Sequence, residues 1–409
     1  MTAPTCLEAA WNLEDGDELW RRLSALDRND LKKQFPYRYY PALLNATTLY
    51  PGLQTGEREL FAAEQTRFAV WSHRSVERLV HDLPSRRPLE PRDAELLTTI
   101  ANILKPNEAG VIASFRYGNY GALPYLLASQ GRCVVIAVKR QALEKIRDLS
   151  RHVQISPLVE TCASVTLKVH TGTVTYLDVE DPLLASTLIR CIKVFAAIIV
   201  LYTDGNVGAR GAKGNSGVVD FHNHQIQVKG GVCFIAERTK TSLLSVLMAS
   251  PFAEHDNHRC EQVEIGSSRE LNAALAAVYR TLERVTESPS VAWLSLSAFH
   301  KWRVPTPGSD CYPSLQQRSL GLRRDRVVIL PTKRGEMWLD AFTYRNHELP
   351  RHVSYTIQEM FGVAGHSRTM TAEDNAIPIS QRIMEAVEHL ARKGLLVATI
   401  DEAPSSLTA

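Results

Sequence analysis

The stretch Ser114-Phe115-Arg116-Tyr117-Gly118-Asn119-Tyr120-Gly121 decides the fold of this chain. The apolar residues 110–113 precede it and predict a buried strand, and the apolar run 122–128 follows it and predicts a helix. Gly118 and Asn119 lie at the turn between the two. The carboxyl end of a strand and the free N–H groups of a following helix meet at such a turn, so the stretch predicts an α/β protein and a common place for a site. A turn that only reverses the chain is the alternative.

A second apolar run, residues 196–202, predicts another buried strand, and Asp204 follows it directly. The glycine-rich segment 205–217 contains Arg210 and Lys213 and lacks the Lys-Ser/Thr ending of a P-loop, so it does not indicate nucleotide hydrolysis. Its backbone N–H groups could approach a phosphate closely, and a loop without a ligand is the alternative.

His222 and His224 follow within the segment 218–224. If that segment is one strand, alternate residues share a face, and both imidazoles are expected to face the same cleft. Histidines spaced in this way also occur as metal ligands, but no third ligand is recognisable in the sequence. Two ordinary, half-exposed histidines are the other interpretation.

These features resemble the lysophospholipid acyltransferase-like superfamily, in particular the branch of lipid A lauroyl and myristoyl acyltransferases. The resemblance covers roughly residues 96–255 and rests on the Gly-Asn-aromatic turn, the later strand with Asp204, and the segment after it. Arg116 stands where the family has its general-base histidine, and Gly121 stands where it has the acidic partner. An arginine stays protonated and only donates hydrogen bonds, so it cannot act as that base.

The resemblance implies an α/β fold in which helices flank a mixed sheet. It also implies acyl or aminoacyl transfer from a thioester on coenzyme A or a carrier protein to a soluble amine or hydroxyl, in specialised metabolism. His222 or His224 would then be the replacement base and Arg116 the anchor for an anion, for which its planar fork is suited. A structural arginine without a ligand is the alternative for Arg116. The remaining residues expected to bind substrate are Asn119, Tyr120, Asp204, Arg210 and Lys213.

A catalytically inactive relative is the alternative, and the sequence leaves open whether the chain is an enzyme. Such a protein would keep the fold and hold a carrier-bound or lipid-like intermediate for a partner enzyme. A third interpretation is recognition of nucleic acid or peptide by the basic residues Arg318, Arg323, Arg324 and Arg326, which a solvated charged loop explains equally well.

Neither a metal nor another cofactor is expected. The segment 254–261 is rich in His, Cys and acidic residues, but its spacing matches no established zinc pattern and predicts a polar loop. A net charge of +3 gives no strong case for nucleic acid.

Composition favours a soluble, cytoplasmic protein. Of its 409 residues 44% are hydrophobic and 22% charged, and the seven cysteines include no Cys-x-x-Cys pair, which suits a reducing compartment. The N-terminus shows no signal peptide, and the longest apolar run, 194–202, is too short to span a bilayer. Lipid A acyltransferases carry a membrane anchor, so we expect no membrane insertion and a soluble or carrier-tethered substrate instead.

Three regions follow from the pattern along the chain. Residues 1–95 predict amphipathic helices, and prolines 84, 88 and 91 mark their boundary with the next region. Residues 96–300 alternate strands and helices and form the acyltransferase-like core. Residues 301–409 predict a small α+β region, either a winged-helix-like module or an extension that packs on the core.

Overall fold

The structure is a computed structural model. It describes residues 16–82, 90–140, 142–144, 159–161, 169–204, 216–250, 257–265, 271–304, 320–322, 327–331, 335–340, 346–360, 385–387, 389–390 and 396–398. The chain divides into two units, residues 1–304 and 305–409, which are treated separately below.

Most described strands of the first unit belong to one mixed sheet. In chain order the strands are β1 (Gly110–Ser114), β2 (Val134–Val138), β3 (Val159–Thr161), β4 (Val174–Asp178), β5 (Ile198–Tyr202), β6 (Ser216–Phe221), β7 (His224–Lys229), β8 (Ser242–Leu247) and β9 (Arg259–Val263). The sheet has the order β3-β4-β2-β5-β1-β8-β9, in which β9 is antiparallel to β8 and the other neighbours are parallel. All residues of β1 are buried, because parallel strands are covered on both faces and therefore read as continuous apolar runs.

Helices flank the sheet on both faces. They are α1 (Gly16–Ala25), α2 (Arg28–Gln34), α3 (Pro36–Leu49), α4 (Thr55–Asp82), α5 (Pro91–Ile103), α6 (Leu123–Ser129), α7 (Leu184–Phe195), α8 (Gly231–Thr239) and α9 (Leu271–Val285). Apolar side chains of α5 and α6 form one core with residues such as Ile112 of β1. Side chains of α1 to α4 and α7 to α9 form the other core with residues such as Val111, which points to the opposite face of β1.

The hairpin of β6 and β7 forms a separate antiparallel pair. A Cβ atom on Gly217 would lie 2.6 Å from Leu275 Cδ1, which shows how closely β6 approaches α9. The hairpin is therefore held by α9, beside the sheet rather than within it.

The second unit has its own hydrophobic core. Its described elements are β10 (Leu320–Leu322), β11 (Val327–Pro331), β12 (Gly335–Asp340), β13 (Asn346–Pro350), α10 (Arg351–Met360) and β14 (Leu396–Ala398). Strands β11, β12 and β13 form an antiparallel sheet, and β10 pairs with β14. Trp338 and Ile357 are both fully buried in that core.

The predicted fold class is confirmed as α/β, with a mixed sheet between helices. The apolar runs predicted as buried strands at 110–113 and 196–202 coincide with β1 and β5 to within two residues. In the part of the chain that the structure describes, no helix combines the length and apolar character needed to cross a membrane.

Candidate functional site

Three loops meet at the carboxyl ends of the neighbouring parallel strands β5, β1 and β8. The Thr203 N–H donates to the Ser114 carbonyl oxygen at 2.9 Å, which joins the loop after β5 to the end of β1. The Asn119 N–H donates to the Ala249 carbonyl oxygen at 3.1 Å, which joins the loop after β8 to the turn after β1. In the sheet order, β2 lies on one side of the β5–β1 pair and β8 on the other. The connection from β1 to β2 and the connection from β5 to β8 therefore run in opposite directions across the sheet, which makes this a switch point. Open α/β sheets bind their ligands at such switch points.

Asp204 anchors the turn after β1 from the end of β5. It is 1% exposed. The Arg116 N–H lies 3.0 Å from Oδ1 and 2.9 Å from Oδ2, and the indole N–H of Trp293 donates to Oδ2 at 3.1 Å. A buried carboxylate needs donors that compensate its lost hydration, and these groups supply them. The carboxylate predicted to bind substrate is thus bonded to the loops of the protein itself.

The Arg116 side chain keeps hydrogen-bond donors for a ligand. It is 34% exposed, and its Nη2 donates to the Asp204 carbonyl oxygen at 2.8 Å. Its Nε lies 3.7 Å from Asp204 Oδ1 and is buried without a hydrogen bond to any described residue. The Ser114 hydroxyl, two residues earlier, is also buried without such a partner. A buried polar group of this kind needs a water, a ligand or a further residue as its hydrogen-bond partner.

Gly118 is required by the backbone of this turn. Its φ is +55°, a conformation that costs other residues strain. A Cβ atom at this position would lie 2.1 Å from the Met248 carbonyl oxygen and 2.4 Å from that of Ala249. The glycine therefore allows the turn after β1 to lie directly against the loop after β8.

Tyr120 brings a phenol to the same crevice. Its ring packs edge-to-face on Tyr202, with 5.2 Å between centroids, and the Tyr202 hydroxyl donates to the Tyr120 carbonyl oxygen at 3.0 Å. Burial raises the pKa of Tyr120, and Asp204 adds to this, whereas the positive charges of Arg116 and Arg38 act in the opposite direction. Two guanidinium groups thus act on this phenol, and Arg38 of α3 is a residue that the sequence pattern did not single out.

His222 and His224 lie in another place, at the tip of the β6–β7 hairpin. The expectation that they alternate along one strand is wrong: β6 ends at Phe221, and His222 and Asn223 form the turn with φ values of +47° and +60°. His222 Nε2 lies 2.8 Å from Thr286 Oγ1, just beyond α9. His224 Nε2 lies 3.3 Å from the Thr48 carbonyl oxygen in α3.

The hydrogen bonds of the two rings define their tautomers. The Thr48 carbonyl oxygen only accepts, so His224 Nε2 carries a proton. The Thr286 hydroxyl donates to the Leu282 carbonyl oxygen at 2.9 Å, so it accepts from His222 Nε2. In both rings Nδ1 then holds the lone pair. Burial is the main cause that lowers the pKa of each imidazole and favours its neutral form.

The structure therefore brings together four of the predicted site residues, Arg116, Asn119, Tyr120 and Asp204. The rings of His222 and His224 are instead bonded to Thr286, just beyond α9, and to Thr48 of α3. Arg210 and Lys213 lie outside the described residues. Sequence reasoning missed Ser114, Arg38 and Trp293; only Ser114 had a signal, its position at the end of a buried strand.

The described residues contain no group of three or more His, Cys, Asp or Glu side chains placed to hold a metal ion. His258, from the segment rich in such residues, is bonded to Asp93 and to a backbone N–H instead.

Neither a scan against models of protein families nor a search of curated proteins gives a match to this chain.

Proposed function

We propose that this protein binds the phosphate of an acyl carrier in the crevice at the ends of β5, β1 and β8. The carrier would be coenzyme A or the phosphopantetheine arm of a carrier protein, with an acyl or aminoacyl group attached as a thioester. The protein would hold this intermediate for a partner enzyme. The resemblance to acyltransferases suggests the carrier class, and the geometry at the end of β1 supports an anion as the ligand.

The unsatisfied donors at the end of β1 are the observation that carries the proposal. Arg116 Nε and the Ser114 hydroxyl are buried without a hydrogen bond to any described residue, although Nε lies 3.7 Å from Asp204 Oδ1, and the Arg116 side chain is partly exposed. A phosphate oxygen is the acceptor that a guanidinium binds best, through short, charge-assisted hydrogen bonds. Arg38, like Arg116, acts on Tyr120 with a positive charge.

Binding of coenzyme A compared with pantetheine, which lacks the phosphates, tests this proposal. In a calorimetric titration we expect coenzyme A to bind at least about tenfold more tightly, because a hydrogen bond to a charged group contributes about 1.5–3 kcal/mol. Arg116→Gln should weaken coenzyme A binding by about 10- to 100-fold and leave pantetheine binding unchanged. Arg259→Gln, at an exposed position of β9, is the matched control and should change neither. Equal affinity of the wild type for the two compounds would refute the proposal.

Acyl transfer is the second candidate function, and the tautomers of the two histidines favour it. A neutral imidazole with a lone pair on Nδ1 can take a proton from an acceptor amine while the amine nitrogen attacks the thioester carbonyl carbon. The carbon–sulfur bond then breaks, and the carrier thiolate leaves and takes up a proton.

The transfer function is tested by mass spectrometry of an acyl-coenzyme A incubated with the protein and a panel of amines. If the protein is a transferase, the acyl group moves to an amine, and the double variant His222→Gln with His224→Gln loses turnover while retaining coenzyme A binding. Tight binding by the wild type with no acyl transfer would support the holding function instead.

A further inference from the structure

His258 forms a bridge between α5 and the loop after β8. Its Nδ1 accepts the Ala249 N–H at 2.7 Å, and its Nε2 lies 2.8 Å from Asp93 Oδ1. Because Nδ1 accepts, the proton is on Nε2, which donates to the Asp93 carboxylate. The His258 side chain is 4% exposed. Burial raises the pKa of Asp93, but the hydrogen bonds from His258 and from the backbone at Glu90 and the positive charge of Arg92 act in the opposite direction, and the net shift is downward.

A second bond from α5 holds the same loop. The Nη1 group of Arg92 donates to the Ser250 carbonyl oxygen at 3.2 Å, while Glu90 pairs with the other side of the Arg92 guanidinium at 2.8 Å. Two connections to α5 therefore hold this loop. One is made through the Ser250 carbonyl oxygen, and the other, by way of His258, through the Ala249 N–H.

The opposite side of Ala249 faces the candidate site. Its carbonyl oxygen accepts a hydrogen bond from the Asn119 N–H at 3.1 Å. The same oxygen lies so close to Gly118 that a Cβ atom on Gly118 would be only 2.4 Å from it. Ala249 is therefore bonded to His258 through its N–H and to the turn after β1 through its carbonyl oxygen. A displacement of the His258 imidazole is therefore transmitted to Asn119 through Ala249 alone.

From these contacts we infer that His258 and Asp93 are positioning residues for the anion site at Arg116. They hold the loop after β8 in the arrangement that supports the Gly118–Asn119 turn, and so they fix the position of Arg116 just after β1. Only the choice of coenzyme A as the test ligand rests on the proposed function. The positioning role itself concerns the Gly118–Asn119 turn.

Two readouts separate positioning from a general contribution to stability. Hydrogen exchange should show that His258→Ala loses protection selectively at the Asn119 amide, by about tenfold or more, with the amides of β1 and β5 unchanged. A residue that only stabilised the fold would alter exchange in all these segments together. In titrations with coenzyme A, the same variant should bind about 2- to 30-fold more weakly, the range found for residues that act through a neighbour.

His258→Gln is the conservative variant, because a glutamine amide can accept from the Ala249 N–H and donate to Asp93. It should restore both the protection of Asn119 and the affinity for coenzyme A. Asp93→Ala changes a partly exposed position and should reproduce the effect of His258→Ala. It replaces His258→Ala in the experiment if His258→Ala does not fold.

The outcomes distinguish this inference from the proposed function. Unchanged protection of Asn119 in both alanine variants would overturn the positioning role, whatever the affinity for coenzyme A. Loss of that protection in a protein whose wild type does not bind coenzyme A would support the positioning role and refute the proposed function.

Discussion

Arg116 stands where the resembled family has a general base, and its surroundings suit an anion. Its backbone N–H is bonded to Asp204, and its side chain presents a buried Nε that no described residue accepts from. A guanidinium cannot take up a proton, but it can bind a phosphate through two parallel hydrogen bonds. An arginine at this position therefore favours anion binding over proton transfer.

Gly118→Ala should be among the most destabilising substitutions in the turn. The new methyl group would meet the carbonyl oxygens of Met248 and Ala249 in addition to the strain of a positive φ. Gly131→Ala is the matched control, because Gly131 has a φ of +75° and nothing within 4 Å of the added Cβ. We expect a loss of about 1–2 kcal/mol in the free energy of unfolding at Gly131 and at least about 2 kcal/mol more at Gly118. Urea denaturation measures both, and equal losses would contradict the close approach.

His222 predicts a pH dependence of stability. Burial is the main cause that lowers its pKa below the ordinary value of 6.5, although Glu283 and Glu287 act in the opposite direction. The unfolded chain then takes up a proton at a higher pH than the folded chain, so the free energy of unfolding falls as the pH drops through 6.5. This fall ends below the folded-state pKa, where both states are protonated.

The variant His222→Gln isolates this contribution, because its side chain can still donate to Thr286. Urea unfolding at pH 7.5, 6.5 and 5.5 should show a shallower fall in the variant than in the wild type. Parallel pH profiles would show that the imidazole titrates alike in the folded and unfolded chains.

The sequence located residues at the site better than it assigned their contacts. Asp204 was expected in the crevice because it follows a buried strand, and it lies there. Its bond to the indole of Trp293, 89 residues further along the chain, depends on tertiary packing that has no local pattern. The same reason explains why the influence of Arg38 of α3 on Tyr120 was not predicted.

At the scale of elements, strands were predicted well where most of their residues are buried. β1 and β5 lie in the parallel centre of the sheet, where helices on both faces select continuous apolar runs. The β6–β7 hairpin was missed because its turn, His222–Asn223, lacks the glycine that usually marks a two-residue turn with positive φ. Without that signal the alternating pattern reads as one strand, and the two histidines are assigned to one face.

Substitution of Asn223 tests the turn. Asparagine tolerates a positive φ, whereas a β-branched residue does not, so Asn223→Val should lower the free energy of unfolding by about 1–2 kcal/mol. Gln225→Val, at an exposed position of β7, is the control and should change it by less than about 0.5 kcal/mol. Thermal unfolding of both variants provides the comparison; equal changes would contradict a turn at 222–223.

On the scale of the whole molecule, the chain contains two units with separate hydrophobic cores. The N-terminal helices α1 to α4 share a core with the sheet, so their residues belong to the same unit as the candidate site. Periodicity predicted those helices, but it could not predict that they pack on one face of a sheet formed later in the chain.

Ile357→Ala tests the independence of the second core. Ile357 is fully buried in that unit, and the truncation should cost it about 2–5 kcal/mol. Calorimetry should show two unfolding transitions, of which only one moves to lower temperature in the variant, and the affinity for coenzyme A should be unchanged. A single transition that shifts as a whole would show that the two units unfold together.

The central claim is that Arg116 binds a phosphate, and the side-chain Nε–H signals of arginine in a ¹H–¹⁵N spectrum test it most directly. The signal that disappears in Arg116→Lys belongs to this residue. We predict that coenzyme A shifts this signal, because Nε gains an acceptor, and that pantetheine leaves it in place. A shift of other arginine signals with this one unmoved, at concentrations where coenzyme A is bound, would contradict the account.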